Sequence, residues 1–234
     1  MCYNTPGNED PWQPLRMGTE LATEHAMSTA DFPMTAPPMQ RDAPAWNIAL
    51  LFPPQGHWSE EEYLALGTNR LVELVDGCVD VLPMPTVFHQ LIVKYLHRML
   101  DDFVTPLALG LALFAPLPVR LWPLQMREPD VLFLRSGRIR NNKKPPDGAD
   151  LVMEVVSEGA ENRERDLETK RREYAKARIP EYWIVDPEFE TITVLTLAGE
   201  EYQVHGEYRP GQQASSVLLP GFAVDVTATF AAGK

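Results

Sequence analysis

Three carboxylates stand where the hydropathy pattern calls for apolar side chains. Glu73 interrupts Leu71-Val-Glu-Leu-Val75, Glu154 interrupts Leu151-Val-Met-Glu-Val-Val156, and Asp130 opens Asp-Val-Leu-Phe-Leu134 directly after Pro129. A carboxylate buried without a partner is strongly disfavoured unless it takes up a proton. Any one of these acids is explained most simply by an edge strand that turns it to solvent, or by a buried arginine. Three acids in separate strand patterns point instead to a shared cation, and a hard divalent metal suits oxygen ligands.

A lysine adds to the set. Read as a helix, residues 162–178 place Leu167, Lys170, Tyr174 and Ala177 on one side, at about 100° per residue. Leu167 and Tyr174 need the core, so Lys170 is aimed partly inward. Arg171 borders the same stripe, and a lysine that merely covers apolar surface with its stem is the plainer account. Carboxylates, a metal and a lysine have one economical joint chemistry. The metal activates water and neutralises a phosphate oxygen, and the lysine orients the water or balances the added negative charge. The reaction is phosphodiester hydrolysis.

The elements that must position these groups are legible in outline. Ser59-Glu60-Glu61-Glu62 has capping-box spacing and predicts a short helix to about residue 66. Two strand-like runs around Asp76-Gly77 predict a β-hairpin. Leu91, Ile92, Tyr95, Leu96, Met99 and Phe103 form a helical stripe across residues 87–103. Residues 111–114 and 117–121 suggest a further pair of strands. The nearly continuous apolar runs at 130–134 and 151–156 predict strands buried on both faces. A charged helix over 162–178 leads into a second hairpin, 182–185 and 191–197, around Asp186-Pro187-Glu188, and weaker strands follow to about Val226. The expectation is one α/β domain over residues 45–234. Residues 1–44 hold seven prolines without lasting apolar periodicity and predict a disordered extension.

Composition narrows the function. The chain of 234 residues carries 21 Lys+Arg against 33 Asp+Glu, for a net charge of −12, which excludes a general basic nucleic-acid coat. Yet 13 of the 21 basic residues fall within residues 127–180, among them Arg135, Arg138, Arg140, Lys143 and Lys144. A solvated loop explains this run as simply as a local phosphate-binding patch does. Two cysteines, Cys2 and Cys78, exclude a disulfide framework and a four-cysteine zinc site. No apolar run has the length of a membrane span, and the first residues lack the pattern of a secretory leader. A reduced, cytoplasmic setting is the expectation.

Several short stretches resemble, in order, those of the Uma-two family of restriction-endonuclease-like proteins in the PD-(D/E)XK nuclease superfamily. They include Leu74-Val-Asp-Gly77, Glu128-Pro-Asp-Val-Leu-Phe133, Asp150-Leu-Val-Met-Glu-Val-Val-Ser157, Arg165-Asp-Leu-Glu-Thr-Lys170 and Pro180-Glu-Tyr-Trp-Ile-Val-Asp-Pro187. The resemblance implies a mixed β-sheet core flanked by helices, with additional antiparallel hairpins. It implies that Asp130 and Glu154 are metal ligands and that Glu73 matches a third acid, in the early hairpin. The superfamily's lysine two residues after the second acid is absent, since Val156 stands there, and Lys170 matches a helix-borne replacement. The family's Ser-Pro-Ser turn is here Ser157-Glu-Gly-Ala160. His89, near the start of the long helix, is a candidate accessory group or a packing histidine. The implied activity is that of a Mg²⁺-dependent endonuclease, with Mn²⁺ as a substitute. Its DNA substrate would bind through the local basic patch, and a homodimer and a solitary chain are both left open. The competing readings are a binding module that has lost catalysis and a metal-free glycosidase with paired carboxylates.

Overall fold

The computed structural model describes residues 51–67 and 71–234. The Pro-rich head, residues 1–44, lies outside the described residues. Ser59 and Glu62 close the capping box and start α1, Glu60–Leu64. The first hairpin joins β1, Val72–Val75, to β2, Cys78–Val81. Its two turn residues, Asp76 at φ 48° and Gly77 at φ 76°, both adopt the left-handed conformation that a two-residue hairpin of matching twist requires. The long helix α2, Val87–Val104, is capped by Thr86, whose side chain accepts from the His89 N–H.

The central sheet has six strands. They are β3 (Gly110–Phe114), β6 (Val131–Arg135), β7 (Leu151–Val155), β8 (Glu181–Asp186), β9 (Thr191–Ala198) and β10 (Glu201–Tyr208). Their spatial order is β10-β9-β8-β7-β6-β3, with β7 and β8 parallel and the other neighbours antiparallel. A smaller sheet of order β2-β1-β5-β4 adds β4 (Val119–Trp122) and β5 (Gln125–Arg127) to the first hairpin. The two strand runs expected at 111–121 therefore do not pair with each other. The first joins the central sheet beside β6 and the second pairs with β5.

Between β7 and β8 the chain forms α3 (Ala160–Glu164), one π-helical turn (Arg165–Thr169) and α4 (Lys170–Lys176). The chain ends in a small β11–β12 ladder (Gln213–Ser215, Ala223–Asp225) and α5, Val226–Ala231. Among the described residues, no helix is long and apolar enough to cross a membrane.

Strand alternation divides the core into two layers. Val131, Phe133, Met153, Trp183 and Val185 meet α2 and Phe222 on one face. Leu132, Leu134, Val152, Tyr182 and Ile184 meet Tyr174 and Ile179, from α4 and just beyond it, on the other. Even-numbered residues of β6 and β7 thus face α4, and Asp130 and Glu154 share that parity.

One buried acid serves the fold alone. Glu181 is fully buried and accepts from Trp183 Nε1, Ser216 Oγ, Val217 N–H and Leu218 N–H at 2.7–2.8 Å. Glu181→Ala strands four donors and is expected to lower stability by more than about 3 kcal/mol. Urea denaturation would show this as a lower midpoint at unchanged slope.

Candidate active site

Continued one residue beyond the Val131↔Met153 pair, the β6–β7 register (Leu132↔Val152, Val131↔Met153) sets Asp130 opposite Glu154. Directly opposed side chains on neighbouring strands have Cβ atoms about 4.5–5.5 Å apart. Both acids line one small cavity of about 40 Å³, with His89, Glu128, Arg165 and Lys170 also in its wall. Two residues long named by the sequence pattern are therefore brought together by antiparallel pairing.

Among the described residues, each of the two is held through only one of its oxygens. Asp130 Oδ2 accepts from the Val155 N–H at 2.8 Å and lies 3.3 Å from His89 Nε2. Glu154 Oε1 accepts from the Tyr174 hydroxyl at 2.5 Å and lies 3.0 Å from Lys170 Nζ. Among the described residues, the second oxygen of each carries no hydrogen bond. Burial pushes the Glu154 pKa up, Lys170 pulls it down, and the Asp130 charge adds to the upward pressure.

Lys170 is 3% exposed and sits among carboxylates, 3.0 Å from Glu154, 3.5 Å from Asp166 and 3.7 Å from Glu73. Burial alone would depress the ammonium, but Glu154, Glu73 and Asp166 together hold its pKa above the ordinary value. The π-turn helps deliver it. The Lys170 N–H donates to the Arg165 carbonyl, five residues back, and this wider turn aims Asp166 and Lys170 at the same place. Arg171 turns away and donates to the Tyr202 carbonyl.

Glu73 takes a different position from the one expected. It is fully buried and does not line the cavity. Its Oε2 accepts from Arg127 Nη1 and its Oε1 from the Glu128 N–H, while Arg127 also forms a two-pronged pair with Glu173 at 2.7 and 2.8 Å. Burial pushes the Glu73 pKa up, but Lys170 and Arg127 bring it below the ordinary value. Among the described residues, no group of three or more His, Cys, Asp or Glu side chains is arranged to hold a metal ion. Asp130 and Glu154 thus line the cavity together, whereas Glu73 is held by two buried cations, Arg127 and Lys170. A divalent ion bound by one or two carboxylates, with water and substrate oxygens completing its shell, still fits that pair.

His89 stands beside Asp130, with Nε2 3.1 Å from the Val155 carbonyl and Nδ1 buried without a partner among the described residues. Burial lowers its pKa, and the larger pull of Asp130 and the Val155 carbonyl leaves it raised. Sequence reasoning missed Asp166, Arg127, Tyr174 as a Glu154 partner, and Glu128. Asp166 was the findable one, since it lies four residues before Lys170 on the same helical face.

Glu128 carries a pH signature. Burial and the neighbouring Glu73 raise its pKa to about 7, and among the described residues its Oε2 has no partner. A carboxyl raised in the folded state favours folding while protonated, so stability falls as pH rises from about 4.3, the ordinary value, toward that raised value. In chelator, Glu128→Gln is expected to flatten part of this fall. Urea midpoints between pH 5 and 8 would measure it, and a variant that keeps the whole slope would assign the slope elsewhere.

The basic run is partly committed to structure. Arg138 clamps Asp150 through Nε at 2.7 Å and Nη2 at 3.0 Å, whereas Arg140, Lys143 and Lys144 are exposed.

The chain thus joins a mixed sheet with flanking helices to a carboxylate–lysine cavity. The crystal structure titled "putative nuclease belonging to DUF820", from Anabaena variabilis, is similar over 75% of this chain and 99% of its own, with a TM-score of 0.61 and 18% identity. The model of the Uma2 family, described as "Putative restriction endonuclease", matches residues 60–227, and the chain belongs to that family. No curated protein matches it.

Proposed function

We propose that this protein is a Mg²⁺-dependent DNA endonuclease, with Mn²⁺ able to replace Mg²⁺. The observation that carries the reading is the opposition of Asp130 and Glu154 across adjacent strands, each with an oxygen left over, beside a buried lysine. The family match and the nuclease description of the similar structure support it.

Asp130 and Glu154 would hold the metal. When bound, the ion would supply an acidified water and charge neutralisation on the scissile phosphate. The protein's own groups do the rest. The Val155 N–H and His89 fix the rotamer of Asp130, and Tyr174 fixes that of Glu154. Lys170 presents a permanent positive charge to the site, where negative charge develops on the phosphoryl oxygens. Glu73 and Asp166 keep that ammonium charged and in place. Arg165, in the cavity wall and paired with Asp166, would add a second positive charge near the phosphate. Arg140, Lys143 and Lys144 form the local patch for the DNA backbone.

Isothermal titration with Mn²⁺ tests the ligand pair. Wild type is expected to bind one ion, and Asp130→Ala and Glu154→Ala are each expected to lose it. Unchanged binding in both variants would remove the pair from the metal site.

A further inference from the structure

Beside the carboxylate cavity lies a larger one of about 390 Å³, within the range of small-molecule sites, about 300–1,000 Å³. The two share Pro83, Pro85, His89 and Ser157 as walls. Phe88, Val156, Pro187 and the two shared prolines give its lining an apolar part, beside polar groups such as Ser157, Glu158 and Asn162. The one arginine among its described lining residues is already spent. Arg163 donates to both oxygens of Asp186 at 3.1 and 2.6 Å and lies 3.0 Å from Glu188. The other basic group in the wall, His89, has its Nε2 3.3 Å from Asp130, so the lining presents no arginine or lysine to a phosphate. It offers acceptors instead, since among the described residues the Glu158 carboxylate and Ser157 Oγ accept no hydrogen bond. Asn162 is committed, donating to the Glu158 carbonyl and accepting from Arg165. A ligand that suits this lining is uncharged, planar and apolar on its faces, with N–H donors on its edge.

We propose that this cavity receives a nucleobase bearing an exocyclic amino group, next to the scissile phosphate and out of the base stack, so that the substrate is single-stranded or locally unpaired DNA. The placement of the phosphate rests on the nuclease reading above, whereas the chemistry of the cavity does not. Phe88 and the prolines supply the stacking surfaces, and Glu158 accepts from the amino edge as acidic side chains do from cytosine N4. Taking a base out of a paired stack is costly, and least so where it is already unpaired, so the cavity itself selects the form of DNA that is cut.

Two arms test this on the full chain. In the first, deoxyguanosine, deoxycytidine, deoxyadenosine and thymidine are titrated by ligand-detected NMR without metal. The three amino-bearing nucleosides are expected to bind at least about fivefold more tightly than thymidine. Asn162→Trp, which fills the cavity and gives up the two Asn162 hydrogen bonds, is expected to abolish binding in protein that still unfolds cooperatively. Glu158→Gln, at an exposed position, is expected to shrink the preference over thymidine. In the second arm, a DNA bubble is expected to be cut at least about tenfold faster than the same sequence fully paired. Absence of nucleoside binding in protein that nicks DNA would overturn the base pocket and leave the nuclease reading standing. Nucleoside binding without nicking in any metal would do the reverse. Thymidine binding as tightly as the others, or a preference unmoved by Glu158→Gln, would overturn the assignment of the amino edge.

Discussion

Lys170→Ala is expected to lower the rate of DNA cleavage by at least about 100-fold while Mn²⁺ binding survives. The two ligands of the proposed ion, Asp130 and Glu154, are untouched by the change, and what is lost is the fixed positive charge 3.0 Å from Glu154. Lys170→Met keeps most of the stem and separates the charge from its packing. Lys170→Arg is expected to be poor as well, because a planar fork cannot replace a compact ammonium set among Glu154, Asp166 and Glu73. Arg171→Ala is the control. Its guanidinium reaches the Tyr202 carbonyl, away from the cavity, and near-normal cleavage is expected. Full activity in Lys170→Met would return the lysine to a packing role.

The second large effect is on stability. Glu73→Ala removes one of the two carboxylates on buried Arg127 and one of those around Lys170, and leaves the Glu128 N–H without its acceptor. Breaking a buried pair by deleting one partner costs about 3–5 kcal/mol, and the retained Arg127–Glu173 pair keeps the expected loss at the lower end of that range. The sign with pH follows from the lowered Glu73 pKa. Its contribution is present above the ordinary glutamate value, about 4.3, and is lost as pH falls through the folded value. Chemical denaturation of wild type and Glu73→Ala at pH 7 measures the loss. Glu73→Gln, which retains the side-chain shape, is expected to lose stability but to keep Mn²⁺ affinity. Loss of metal binding in a folded Glu73→Gln would make Glu73 a ligand after all.

What could be read in the sequence was local or periodic. Asp130 and Glu154 betray themselves because an acid in a doubly buried strand has to be answered by something, and strand parity sends both to the α4 side. Lys170 was visible from helical spacing, though its distinction from Arg171 needed the fold. What answers Glu73 was not visible. Arg127 lies 54 residues away on β5, a three-residue strand too short to register as a pattern. The two runs at 111–121 were legible as strands, but their partners, β6 and β5, were not, because pairing is set by the fold and not by adjacency in sequence. The π-turn leaves no periodic mark either, because the charged run reads as one continuous helix.

Nicking of supercoiled plasmid tests the central claim most directly, with wild type, Asp130→Ala, Glu154→Ala and Lys170→Met each assayed in Mg²⁺, in Mn²⁺ and in chelator. The account predicts metal-dependent nicking by wild type alone, silence in chelator, and loss in all three variants, with Mn²⁺ binding retained only in Lys170→Met. Nicking by wild type that persists in chelator, or that survives in Asp130→Ala and Glu154→Ala, would contradict it.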